Sequence, residues 1–278
     1  MLWLISPEDF AMRDFAYVLT LASAFIPPAV AAEIQDVGVI ELRQYTLHAG
    51  QRDVLIELFE REFVESQEAY PMRLIGLFRD LDRPDRFVWL RGFANMSTRA
   101  QALSGFYGSA VWKAHRDAAN ATMIDSENVL LLRPLHTDTG FADAPLPTGN
   151  AAKRGRGVVE ARLLYAKTES PPEHIQAAVE ALDRALHDVG GTRLAVLVSE
   201  GAANNFPRLP VREGEHVLAW FAALPDEASR ARFRNALAES LAWIRAGSAL
   251  TAGAPRAPEA LRLAPTARSR LPAAGTEH

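Results

Sequence analysis

Cysteine is absent from the 278 residues, which removes disulfides, iron–sulfur clusters, thiolate metal sites and thiol nucleophiles at once. An excess of charge of either sign is missing too. Thirty Lys and Arg stand against 34 Asp and Glu, a net charge of −4, and the cations are scattered singly. Nucleic acid, which needs a gathered basic face, is therefore not an expected partner. There is no GxSxG, no GxGxxG and no Walker loop, and the seven histidines form no HxH or HxxxH pair. Neither a metal nor a cofactor has a signature in the chain. Apolar runs are short as well. The longest near the N-terminus, FAYVLTLASAFI over 15–26, falls below the ~20 residues of a membrane span.

That N-terminal run leaves two expectations for location. Read from Met12 to Ala31, it has the length and the small-residue ending of an export signal. The flanking charges argue the other way. Glu8, Asp9 and Asp14 outnumber Arg13, whereas a signal begins positive. A cytoplasmic protein is expected, with export as the alternative, and residues 1–36 are set aside from the fold.

With 49% hydrophobic residues the chain can bury a substantial core, and its length suits two domains of ~150 residues or one large one. The pattern becomes legible at Val37. Val39–Leu47 alternates as a strand. Gln51 to Glu68 carries Val54, Leu55, Leu58, Phe59 and Phe63 at helical spacing. Met72–Arg79 and Arg86–Phe93 read as strands joined by an Asp- and Pro-rich turn. Ser97 is the expected cap of a helix that Gly108-Ser109 interrupts and that resumes from Val111 to Met123. Val129–Arg133 closes the unit. The order β-α-β-β-α-β is the ferredoxin-like arrangement.

Residues 136–157, rich in Gly, Pro and Asp, read as a linker. The plan then repeats. Val158-Val159-Glu160-Ala161-Arg162 echoes Val39-Ile40-Glu41-Leu42-Arg43. Ser170-Pro171-Pro172-Glu173 has the form of a capping box, and Gly190-Gly191 ends its helix. Strands are expected at Thr192–Val198, His216–Ala222 and Leu261–Leu263, with a helix opening at Pro225-Asp226. The domains are then 37–135 and 158–271, with a tail over 272–278. Each unit leaves one sheet face bare, so the two faces should wrap into a barrel, within one chain or between chains. A homo-oligomer is the expected assembly.

The runs ELRQYTL (41–47), RLIGLFRDLDRPDRFVWLRGF (73–93), FYGSAVWKAHRDAANATM (106–123) and VLLLRP (129–134), with NNFPRLPVREGE (204–215) and LRLAPTARSRL (261–271) in the second half, resemble the NIPSNAP family. The resemblance spans residue 37 to about 271. It implies an α+β fold of two tandem ferredoxin-like repeats in a dimeric α/β-barrel architecture. For eukaryotic members it implies associations with mitochondria and vesicle traffic; it implies little about chemistry.

Strand periodicity puts Glu41, Arg43 and Tyr45 on one face, and Trp89 and Arg91 on one face with Phe87 and Phe93. The aliphatic faces are expected under the helices and the Arg-and-aromatic faces inside the barrel, where buried charge requires pairing or a wet pocket. Trp112, His115, Arg116 and Asn120 fall three and four apart on one helix. His115 is the candidate general acid–base and Arg116 the anion clamp. Arg43, Tyr45, Trp89, Arg91, Tyr107, Trp112 and Asn120 are candidate substrate contacts. The competing reading makes Glu41–Arg43 and Glu160–Arg162 plain ion pairs and His115–Arg116 a staple. Two functions follow: a barrel of the first repeat that binds a small molecule, with cofactor-free oxygenation or isomerisation as its chemistry, or a non-enzymatic adaptor.

Overall fold

The computed structural model describes residues 37–147 and 157–271; the possible signal, part of the linker and the tail lie outside it. Nine strands and seven α-helices are present among the described residues. Strand β1 (Val39–Leu47) leads into α1 (Arg52–Leu58), a π-helical turn (Phe59–Phe63) and α2 (Val64–Glu68). There follow β2 (Arg73–Asp80), β3 (Arg86–Phe93), α3 (Met96–Gly108), α4 (Ala110–Asn120), a short β4 (Met123–Asp125) and β5 (Val129–Pro134). The second half runs β6 (Val158–Ala166), α5 (Pro172–His187), β7 (Thr192–Ser199), β8 (His216–Leu224), α6 (Glu227–Glu239), α7 (Leu241–Thr251) and β9 (Glu259–Pro265).

Eight of the strands close into an antiparallel barrel, β3-β2-β9-β6-β8-β7-β5-β1, with β1 returning to β3. The halves are joined by β2 on β9 and β5 on β7. Closure therefore takes place inside one chain, the first of the two expected arrangements, and the sheet faces that each unit leaves bare cover one another. The terminal segment locks this seam. Thr266 N–H donates to the Leu77 carbonyl, Leu77 N–H donates to Ser269 Oγ, and Arg270 reaches Glu68 and the Leu74 carbonyl. That segment is the end of the LRLAPTARSRL run (261–271).

Local chemistry sets the helix limits. Asn95, not Ser97, caps α3, accepting a 2.9 Å bond from Thr98 N–H. Ser109 caps α4 through Trp112 N–H. The same devices recur in the second half: Asp226 caps α6 and Ser240 caps α7. The paired helices are also equal in length, 13 residues for α3 and α6 and 11 for α4 and α7. The Ser170 capping box does not form, because Pro171 occupies the cap of α5 with no side-chain bond.

One expectation is inverted. The aliphatic faces point into the barrel: Ile40, Leu42, Val88 and Leu90 meet Val159, Leu163, Ala219 and Leu263 in a single buried cluster. The Arg-and-aromatic faces lie outward, beneath the helices, where Tyr45, Phe87 and Trp89 pack on Phe59 and Phe63. The reason is space. An eight-stranded barrel has an interior that side chains can fill, and here they do, so no solvent is left inside to take up charge. The layer between sheet and helices has room for guanidinium groups stacked on rings.

Candidate functional site

The expected hollow inside the first-repeat barrel does not form, since aliphatic side chains occupy the barrel interior. The predicted contacts of β1 and β3 instead meet under α3, in a sealed ion cluster. Glu41 is fully buried and accepts from three guanidinium groups, Arg43 at 2.8 Å, Arg91 at 2.7 Å and Arg99 at 2.7 Å. Arg43 also donates to the Tyr45 hydroxyl at 3.0 Å, and Arg91 to Gln67 at 3.0 Å. The register makes this possible: Glu41 sits opposite Arg91 and Arg43 opposite Trp89 on paired strands, while Arg99 comes down from the first turn of α3. Rings sandwich the charges. The Arg91 guanidinium lies 5.1 Å from the Trp89 ring centre and 5.9 Å from that of Tyr107. Burial alone would push the Glu41 carboxyl up. Arg91, Arg43 and Arg99 outweigh it and hold the carboxyl well below the usual carboxylate range. Burial pushes the Tyr45 hydroxyl the other way, upward.

The helix candidates divide between two faces. Trp112 and His115 turn toward the protein, Trp112 packing on Phe63, Phe106 and Tyr107. His115 Nε2 lies 3.3 Å from Glu62 of the π-helical turn, and both side chains are partly exposed. Arg116 and Asn120 face outward, with Arg116 beside Asp117. Imidazole and guanidinium therefore do not converge on one substrate position, and neither of them touches the Glu41 cluster.

Residue reasoning did not single out Arg99, and it did not join the NNFPRLPVREGE run (204–215) to the Glu41 face. Asn204 and Asn205 each present Oδ1 to Arg99 Nη1, at 3.0 and 2.9 Å, and Phe206 stacks on Tyr107 at 5.9 Å. A signal existed in the sequence: an Arg four residues after the helix cap occurs in both halves, at Arg99 and Arg230.

An open cavity lies elsewhere. A pocket of about 720 Å³ opens on the outer face of the barrel where β5, β6, β7 and β8 meet the start of α5 and the loop before β8. Leu131, Leu164, Ile175, Val198, Leu218 and Leu250 form its apolar wall. Arg212, Glu215 and His216 bring polar groups to it. Arg212 is held rather than free: it pairs with Glu215, donates to Asn128 Oδ1 at 2.8 Å and lies 5.2 Å from the Tyr165 ring centre. Glu215 takes a second cation, Arg256, at 2.9 Å. None of the nine residues expected to form the site lines this cavity.

Residues 40–137 match the NIPSNAP family model. The matched stretch runs from β1 to just beyond β5. No curated protein matches the chain. Among solved structures, an anthrone oxidase-like protein superposes with TM-score 0.53 at 15% identity, over 87% of this chain and 98% of that one, a likeness of fold. Two shorter structures bear the NIPSNAP name. A NIPSNAP-like domain protein from Burkholderia xenovorans is 25% identical over 39% of this chain and 90% of its own, with TM-score 0.34. A NIPSNAP family protein from Agrobacterium tumefaciens is 22% identical over 36% and 87%, also with TM-score 0.34. Among the described residues no helix is long and apolar enough to cross a membrane.

Proposed function

We propose that the protein binds a small, largely apolar molecule in the 720 Å³ cavity beside α5. The cavity carries this reading. Its size falls in the range of small-molecule sites, and its apolar wall with a few oriented polar groups is the usual make-up of one. Arg212, fixed by Glu215 and Tyr165, supplies a positioned donor at the polar end. His115 and Arg116, the expected acid–base and anion clamp, lie outside the cavity.

A thermal-shift screen of hydrophobic small molecules, with anthrone among the first, tests this. A ligand at a hundred times its Kd raises stability by about 2.7 kcal/mol. Ile175→Trp, which fills the cavity from α5, should abolish that gain without lowering the melting temperature of the free protein by more than a few degrees. Hits that persist in Ile175→Trp would move the site elsewhere.

We read the two halves, 37–135 and 158–271, as ferredoxin-like copies of one duplicated unit. The shared strand order, equal helix lengths and matching caps support this. A second reading, an interaction surface, is favoured by Leu241 and Ile244, exposed three residues apart on α7. Leu241→Asp leaving a partner-bound fraction unchanged in sedimentation would remove it.

A further inference from the structure

The Glu41 cluster carries more positive charge than it neutralises. Three guanidinium groups, all 1% exposed or less, share one carboxylate, so two positive charges remain in a layer closed to water. Such charge costs several kcal/mol unless it is paired. Donors are left over as well. Among the described residues Arg91 Nη2 and Trp89 Nε1 are buried and have no hydrogen-bond partner. Tyr107, Trp89 and Phe93 give Arg91 ring faces, which soften the charge without cancelling it.

What closes the cluster on the loop side is informative. The loop before β8 sets two neutral amide oxygens, from Asn204 and Asn205, on Arg99 Nη1 and lays the Phe206 ring on Tyr107. Asn205 is exposed at the rim, and its Nδ2 donates to the Met96 carbonyl at the start of α3. An oxygen pair on a guanidinium beside a stacked ring has the outline of an aromatic acid, but it lacks the acid's charge. A carboxylate in that place would add the attraction of a full negative charge and could take two parallel bonds from a guanidinium. It would also offer a second oxygen to the unused donors.

We propose that the layer between α3 and the β1–β3 sheet is a binding site for an aryl carboxylate, and that the Asn204–Phe206 segment is a tethered stand-in the ligand displaces. The carboxylate would pair with Arg91 and Arg99, and the ring would take the place of Phe206 against Tyr107. This site is separate from the cavity beside α5 and uses Arg91, Trp89 and Tyr107.

The full chain should be titrated calorimetrically and by thermal shift with benzoate, with benzamide as the uncharged match, and with chloride and inorganic phosphate at equal ionic strength. Benzoate should bind and raise the melting temperature, and benzamide should not. Phe206→Ala, which removes the covering ring, should tighten benzoate binding roughly three- to tenfold, the worth of one aromatic contact. Arg91→Gln should abolish binding. The cavity-filling Ile175→Trp should leave the benzoate response unchanged, which separates this site from the other. Equal binding of benzamide, equal stabilisation by chloride or phosphate, or no gain in Phe206→Ala would each overturn the proposal.

Discussion

The two halves solve the same electrostatic problem differently. On β6, Glu160 occupies the place of Glu41 and Arg162 that of Arg43. Arg230 descends from α6 as Arg99 does from α3, and its Nε lies 2.6 Å from Glu160 Oε2. Trp220 faces Arg162 across β6 and β8 as Trp89 faces Arg43 across β1 and β3. The third cation is missing. Opposite Glu160 the register places Ala222, where the first half has Arg91 opposite Glu41. Water also reaches the second cluster, since the Arg162 side chain is 18% exposed while Arg91 and Arg99 are at 0%. An excess of one charge near solvent is tolerable; an excess of two in a sealed layer asks for a further partner. The open cavity, conversely, lies beside α5. The first half thus concentrates charge, while the space opens where the second half meets β5.

The largest effect that can break this comparison comes from the carboxylates. Glu41→Gln leaves three buried guanidinium groups without a counter-ion and should cost about 3–5 kcal/mol of unfolding free energy. Glu160→Gln strands two cations that water partly reaches, and should cost about half as much. Urea denaturation of both variants measures the difference. Equal losses would show that the third Arg and the seal make no energetic distinction.

Acid sharpens the same point. The Glu41 carboxyl is held below its unfolded value of about 4.3, so the unfolded chain takes up the proton first. The stabilisation from Glu41 is complete above about pH 5 and is lost progressively as pH falls below that toward the folded value. The slope of unfolding free energy against pH between about 5 and 3 should be shallower in Glu41→Gln than in the native chain. Parallel slopes would mean that other carboxylates carry the acid sensitivity.

The helix caps should behave alike in the two halves. Asn95→Ala and Asp226→Ala each remove a side-chain bond to a backbone N–H in the first turn, and each should lower stability, by about 1 kcal/mol for Asn95. Similar losses would support the reading of both as one inherited device.

Much of this frame was legible in the sequence, and the reason is periodicity. β1 and β3 fall on their expected residues, and the Gly108-Ser109 break appears where the small residues interrupt the apolar pattern. Which face of β1 turned inward was not legible. Alternation separates Glu41, Arg43 and Tyr45 from Ile40 and Leu42, but either set can face a barrel, and only the volume available on each side decides. The π-helical turn in the first helix was hidden for a similar reason, since Phe59–Phe63 keeps both aromatics on the buried face. Arg99 and the Asn204–Phe206 loop lie more than 100 residues apart, and no local pattern joins them. The cavity beside α5 is likewise a product of packing between elements.

His115 is the residue on which sequence and geometry part most, and its substitution has the smallest expected effect. Its contacts are one partly exposed carboxylate, Glu62 at 3.3 Å, and the edge of Phe63 at 6.4 Å between ring centres. Pairs of that exposure are worth about 0.2–1 kcal/mol. His115→Ala should therefore lower stability by less than about 1 kcal/mol. Because the imidazole lines neither the cavity beside α5 nor the Arg91–Arg99 layer, ligand-induced thermal shifts at both should match those of the native chain. A variant that kept its stability but lost either shift would return His115 to the role its helical spacing first suggested. It would also require α4 to move toward a ligand from the position it holds against the π-helical turn.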